Sequence, residues 1–206
     1  MLVFSKQNLA FLAVPKTGTT AFEMALRPRA DIILTKRRKH LTATRFHNKV
    51  APFLADTFDL TVETMAVMRD PVEQIRSWYR YRSGPRQKGT QASTNGCSFD
   101  DFVQAVISDD PPPFAGIGSQ FNFVTSGKGK VLVTHLFAYE NQPVFHTFLA
   151  QAFGEEIVLK QKNVSPPANA PLSAPVEAKL RKARAEEFAL YDRITAAGGH
   201  LVTPVG

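Results

Sequence analysis

One stretch near the start constrains this chain more than any other. Asn8-Leu9-Ala10-Phe11-Leu12-Ala13-Val14 is a short apolar run. Pro15-Lys16-Thr17-Gly18-Thr19-Thr20 follows as a hydroxyl-rich turn, and Ala21-Phe22-Glu23-Met24-Ala25-Leu26 comes next. The run has strand length and is bounded by Pro and Gly, so it predicts a buried strand. Thr20-Ala21-Phe22-Glu23 has the spacing of a capping box and predicts that a helix opens there. A strand, a tight turn and a helix aim several backbone N–H groups and the positive end of the helix dipole at one spot. Lys16 adds a mobile ammonium, and the three threonines add hydroxyl donors. The stretch predicts an anion site suited to a phosphate. The plainer alternative is a threonine-rich turn that only caps a helix.

The turn is not a Walker A loop. That loop needs Gly-x-x-x-x-Gly-Lys-Ser/Thr, with the lysine after the second glycine. Here Lys16 precedes Gly18, and no glycine stands four residues further upstream. Pro-Lys-Thr-Gly-Thr-Thr instead resembles the 5′-phosphosulfate-binding loop of sulfotransferases that use 3′-phosphoadenosine 5′-phosphosulfate (PAPS).

Composition bounds the rest. The 206 residues are 44% apolar and 21% charged, which predicts one globular domain with a sizeable core. A single cysteine, Cys97, excludes an internal disulfide framework and a cysteine-rich zinc site. No run reaches membrane-span length, and no basic region followed by a long apolar core marks a signal peptide. These features lead us to expect a cytoplasmic protein. The net charge of +7 favours anionic ligands without choosing among nucleotide, acidic glycan, nucleic acid and membrane surface.

Along the chain, Asp31-Ile32-Ile33-Leu34 predicts a second strand. The segment from 41 to 54 predicts a helix broken or kinked near Pro52. Thr64 to Met68 predicts a third strand, ending at Arg69-Asp70-Pro71, where Asp70 suits an N-cap and Pro71 a first helical position. A helix from Pro71 to about Arg82 carries Val72, Ile75 and Tyr79 at helical spacing, with Trp78 widening the stripe. The segment 83–98 predicts a mobile loop. A short helix over 99–107 is broken by Asp109-Asp110-Pro111-Pro112-Pro113, and the residues from Gln120 to Val124 predict a helix start or a short strand. Lys130 to Tyr139 predicts a strand with Glu140 at its end, and Asn141 a cap for a helix from Pro143 to Phe153. Residues 157–160 predict a short extended piece, residues 165–175 a surface linker, and residues 176–197 the last helix, ended by Gly198-Gly199. Strands alternating with helices predict an α/β fold: a single domain with a mostly parallel central sheet flanked by helices. Ligands in such sheets bind beyond the carboxyl ends of the strands, where Lys16 and Arg69 both fall.

Arg69-Asp70-Pro71 with Ser77 is the second informative cluster. An arginine fork suits phosphate oxygens, and a serine hydroxyl supplies another donor. A solvated Arg69 at an ordinary strand–helix junction is the plainer alternative. Arg-Asp-Pro with a serine eight residues after the arginine resembles the 3′-phosphate-binding segment of PAPS sulfotransferases. The strong resemblance covers about residues 8–81, in the family's order. Glu140, Asn163-Val164-Ser165 and the span from Phe188 to Ile194 agree more diffusely. The chain lacks the C-terminal Arg-Lys-Gly segment of the cytosolic steroid and phenol enzymes, so it looks closer to the carbohydrate-type and bacterial branches.

The resemblance implies a P-loop NTPase-like sulfotransferase fold. It also implies sulfuryl transfer from PAPS to a hydroxyl or amine, leaving adenosine 3′,5′-bisphosphate, with no metal. It assigns Lys16 to the leaving-group oxygen, Thr17, Gly18, Thr19 and Thr20 to the 5′-phosphosulfate, and Arg69 and Ser77 to the 3′-phosphate. His40, near neutral in its titration, is the first choice as base, and its Lys39-His40-Leu41-Thr42-Ala43 context looks like a segment of glycan-type enzymes. A solvent or capping histidine is the alternative reading of His40, and Glu23 is the alternative base. Lys36 to Lys39 and the basic residues Arg80, Arg82, Arg86 and Lys88 suit an acidic acceptor or are solvated charge. A glycan is the expected acceptor, and nucleic acid is not expected. Two other classes stay open: a non-catalytic basic module binding nucleotide or polyanion, and a nucleotide phosphotransferase.

Overall fold

The computed structural model describes residues 1–159 and 170–204, the side chain of Arg37 excepted. Six strands form one open sheet in the order β3-β1-β2-β4-β5-β6. β1 (Leu2–Phe4) and β2 (Leu9–Leu12) are an antiparallel hairpin, closed where Asn8 takes a left-handed φ of 51°. β3 (Ile32–Ile33) adds antiparallel to β1. β4 (Glu63–Met68) and β5 (His135–Ala138) continue from β2 in parallel, and β6 (His200–Val202) closes the sheet antiparallel to β5.

The expected α/β class holds, but the sheet is mixed rather than mostly parallel. Parallel pairing is confined to β2, β4 and β5. Two short connections explain this. The tight turn after Phe4 leaves no room for a crossover helix, so β1 must return antiparallel. At the other edge, Gly198 and Gly199 take φ of 73° and 92°, reversing the chain so that Gly199 O accepts from Ala138 N–H. Neither β1 nor β6 was expected. Both are three residues long, too short for a period to show.

Burial on both faces explains the unbroken apolar runs of β2 and β4. Ala10, Leu12, Ala66, Met68 and Leu136 face one cluster with Phe46, Leu54, Leu190 and Ile194. Leu9, Phe11, Met65, Val67 and Phe137 face the other with Phe22, Leu26, Phe145 and Leu149. Helices α1 (Thr19–Leu26) and α7 (Gln142–Phe153) cover the second face. α2 (Ala43–Arg45), a π-helical turn (Phe46–Val50) and α3 (Ala51–Phe58) run as one segment over the first. The break expected near Pro52 is this wider turn. Pro52 has no N–H for the carbonyl four residues back, and the chain shifts to the five-residue bond from Ala51 N–H to Phe46 O.

A third cluster lies beyond the sheet rim. α4 (Pro71–Arg82), α5 (Phe99–Val106) and α8 (Ala174–Ala183) meet there through Val72, Ile75, Phe102, Val103 and Leu180. α4 begins and ends where expected, with Asp70 accepting from Glu73 N–H at 3.0 Å. The long last helix divides instead at Arg184 into α8 and α9 (Ala185–Ala196). Its two halves bury against different clusters, Leu180 with the third and Ile194 with the first, and a straight rod cannot reach both. α6 (Gln120–Val124) is a short helix capped by Ser119. The 83–98 loop is pinned to α4 by Thr94 Oγ1 donating to Tyr79 O and Tyr79 Oη donating to Cys97 O. Asn163-Val164-Ser165 and residues 165–169 of the expected 165–175 linker lie outside the described residues, and the linker's end already belongs to α8.

Phe137 packs against Phe145 at 4.6 Å, Phe148 at 4.9 Å and His200 at 4.2 Å. Phe137→Ala is expected to lower stability by about 3–5 kcal/mol in urea unfolding. A loss under about 1 kcal/mol would show that this face of the sheet is not close-packed.

Candidate functional site

The register of β2 on β4 sets the site. Leu12 pairs with Ala66 in parallel, so the chains leaving both strands emerge on one rim. Lys16 and Arg69 are therefore neighbours, as their order past the two strands suggested.

The turn after β2 is built on two left-handed residues, Lys16 at φ 68° and Gly18 at φ 69°. Such alternation belongs to turns whose N–H groups converge. The backbone N–H groups of Lys16 to Thr20 have no protein acceptor among the described residues. α1 starts at Thr19 with Gly18 as its N-cap and no side-chain cap. The expected capping box from Thr20 to Glu23 is thus absent. Glu23 turns away to Lys39 Nζ at 2.8 Å and to the Met1 ammonium at 3.8 Å. Those ion pairs make it a poor alternative base. The Thr17 hydroxyl is also spent, donating to Val14 O at 3.0 Å inside the core, which leaves its N–H for a ligand. Thr19 is buried at the helix start and Thr20 is exposed.

Gly18 is required here twice over. A Cβ would stand 2.8 Å from Tyr139 Cε2, and the backbone is left-handed. Tyr139 in turn carries the Arg69 guanidinium on its ring at 4.7 Å. Glu140 Oε1 lies 3.6 Å from Arg69 Nε, and Glu73 Oε2 lies 3.7 Å from an Arg69 terminal nitrogen. Both exceed hydrogen-bond length, and Arg69 Nε is buried with no hydrogen-bond acceptor among the described residues. Glu140 is held by Tyr191 Oη at 2.5 Å and accepts from Asp70 N–H. Burial and that carboxylate push the Tyr191 phenol well above its usual range.

α4 closes over the turn. Gln74 Nε2 donates to Pro15 O at 3.2 Å. Lys16 Nζ lies 4.3 Å from the Tyr81 ring centroid and 5.6 Å from that of Trp78. Trp78 Nε1 is another buried donor with no hydrogen-bond partner among the described residues. Burial first, and Arg69 second, lower the Lys16 pKa to about 8. Ser77 is half-buried on α4, about one turn beyond Gln74. No hydrogen bond joins Ser77 to Arg69 among the described residues. Trp78 was expected on the apolar stripe with Val72, Ile75 and Tyr79; that its ring and that of Tyr81 flank Lys16 carried no signal in the sequence.

His40 follows a 3-10 turn over Lys36–Lys39 and lies against the base of the loop. Its Nδ1 is 2.7 Å from Ala13 O. A carbonyl only accepts, so Nδ1 carries the proton and Nε2 the lone pair. Burial holds its pKa below the usual imidazole range, against the pull of the Ala13 carbonyl. The remaining histidines sit apart. His47 contacts Leu132 O, and His135 joins His200 and Glu63 at the amino ends of β4 and β5.

Two clefts lie off this rim. One of about 470 Å³ runs between Ser119 and the α8–α9 junction, and one of about 330 Å³ lies along α7 beside His200. Among the described residues, no group of three or more His, Cys, Asp or Glu side chains is arranged to hold a metal ion. No described helix is long and apolar enough to cross a membrane. No protein-family model matches the chain, and no curated protein matches it.

Gly18→Ala is expected to cost about 1–2 kcal/mol from its left-handed backbone alone, with the clash against Tyr139 added. A double-mutant cycle with Tyr139→Leu should recover the clash and leave the backbone share. Urea unfolding of Gly18→Ala at wild-type stability would contradict this close approach.

Proposed function

We propose that this chain is a PAPS-dependent sulfotransferase of P-loop-like fold, moving a sulfuryl group to a hydroxyl or amine of an acceptor, with a glycan as the expected class. One observation carries the reading. Two cations, Lys16 and Arg69, leave adjacent parallel strands beside a turn whose amides lack protein acceptors. A small ligand with two separated anionic groups suits that arrangement. The fit is supported by Arg69 Nε and Trp78 Nε1, both buried without hydrogen-bond partners among the described residues.

In this reading the amides of Thr17, Gly18, Thr19 and Thr20 hold the 5′-phosphosulfate, with the Thr20 hydroxyl at hand. Arg69 holds the 3′-phosphate, its long contacts to Glu73 and Glu140 giving way to shorter charge-assisted bonds, and Ser77 adds a hydroxyl from α4. Lys16 swings from the Tyr81 ring to the bridging oxygen. There it neutralises the charge that builds as the sulfur–oxygen bond breaks and the electron pair stays on the phosphate. His40 Nε2 takes the acceptor proton as the acceptor oxygen bonds to sulfur. The reading invokes no metal. It takes the protein as cytoplasmic, in keeping with its single free cysteine, Cys97.

The test is calorimetry without metal. Adenosine 3′,5′-bisphosphate should bind far better than ATP or AMP, and Arg69→Ala should remove at least about tenfold of that affinity, about 1.4 kcal/mol. Equal or better binding of ATP would favour a phosphotransferase. No nucleotide binding by folded protein would end the sulfotransferase reading and leave a basic polyanion-binding module.

The pH profile follows from the two shifted groups. His40 must be neutral to accept a proton, so kcat/KM rises with pH through a value below 6.5. Lys16 must be charged, so kcat/KM falls as pH passes about 8. Lys16→Arg should remove the alkaline limb, because arginine stays protonated there. An alkaline limb unchanged in Lys16→Arg would assign it to another group.

A further inference from the structure

The ladder of β4 ends at Met68, which pairs with Ala138 on β5. Arg69 is the first residue beyond it, and its main chain needs partners from elsewhere. The side chain of Gln120 supplies both. Gln120 Oε1 accepts from Arg69 N–H at 2.9 Å, and Gln120 Nε2 donates to Arg69 O at 2.9 Å. One amide side chain thus replaces a strand partner at the residue whose guanidinium faces the site.

Gln120 is itself fixed. It is 1% exposed, and its second Nε2 hydrogen goes to Glu187 Oε1 at 3.2 Å. A carboxylate only accepts, so Glu187 holds the nitrogen end of the Gln120 amide in the orientation that the Arg69 main chain requires. Glu187 is 4% exposed, and its other oxygen accepts from Ser119 Oγ at 2.6 Å and Arg184 at 3.3 Å. The buried charge is therefore paired and hydrogen-bonded, as such a charge must be to persist. Arg184 stands at the break itself and Glu187 in the first turn of α9, so their contact is an i,i+3 pair at the start of that helix.

We infer that Gln120 and Glu187 are positioning residues for Arg69, setting the direction of its guanidinium and with it the preference for a 3′-phosphate. This rests on the sulfotransferase reading above. Neither residue touches the nucleotide. They act through the Arg69 main chain, which a flipped or missing amide would leave unpaired on both sides.

The experiment compares two nucleotides, adenosine 3′,5′-bisphosphate and adenosine 5′-monophosphate, whose affinity ratio isolates the 3′-phosphate. Gln120→Leu should lower that ratio about tenfold while changing the 5′-monophosphate affinity by less than about threefold. Glu187→Gln preserves shape but leaves one acceptor oxygen where the carboxylate has two, so it cannot accept from Gln120 and from the Ser119–Arg184 side together, and should lower the ratio about threefold. It decides the matter if Gln120→Leu does not fold. Melting temperatures of both variants are measured alongside. A loss shared equally by both nucleotides marks a merely structural role and overturns the inference. So does an unchanged ratio in folded variants of a wild type that discriminates. A wild type that does not discriminate between the two nucleotides removes the sulfotransferase reading itself, and the inference with it.

Discussion

Like charges held together in a half-dry place are the constraint on which this structure turns. Lys16 and Arg69 leave two parallel strands in fixed register, so neither can retreat without breaking the sheet. Arg69 has two carboxylates at long range and an aromatic face beneath it. Lys16 has no carboxylate partner among the described residues and rests on the rings of α4. Cation–π contact of this sort offsets only part of the desolvation of an ammonium, and the lowered Lys16 pKa records the remainder. A ligand that brings an anionic group to each cation would relieve both.

The surroundings explain how such an arrangement stays folded. α4 is tied down at its start by Asp70 and Pro71, at Gln74 by the Pro15 carbonyl, and beyond by the third hydrophobic cluster. Tyr139 serves both sides, filling the space that Gly18 leaves and supporting Arg69. Glu140 then joins Arg69, the Asp70 main chain and Tyr191, binding the rim to α9. The polar groups around the site are mostly cross-braced through backbone atoms, which fixes geometry without adding charge to the rim.

Much of this was legible in the sequence because it was local. The strand, turn and helix around Lys16 and the junction at Arg69 are each set by neighbours within a few residues: Pro, Gly, an Asp cap, an apolar run. What escaped was set by distance. The edge strands β1 and β6 are too short to carry a period, and their direction follows from tight turns. The capping box at Thr20 was a sound local pattern, but Glu23 found a stronger partner in Lys39, which only the folded chain brings near. Gln120 and Glu187 carry no sequence signal at all. Their meaning comes from sequence separations of 51 residues, Arg69 to Gln120, and 67 residues, Gln120 to Glu187, closed up by the fold. His40 lay between the two cases: its type and place were readable, while the Ala13 carbonyl that fixes its tautomer was not.

The central claim is that Lys16 and Arg69 hold the two anionic ends of one nucleotide, and the Lys16 ammonium reports on it directly. Its pKa can be followed by NMR on protein carrying 13C-labelled lysine, free and with adenosine 3′,5′-bisphosphate. The account predicts titration near pH 8 in the free protein, an upward move on replacing Arg69 with alanine, and a larger upward move when the nucleotide binds. A Lys16 that titrates like a surface lysine and ignores both changes would contradict it.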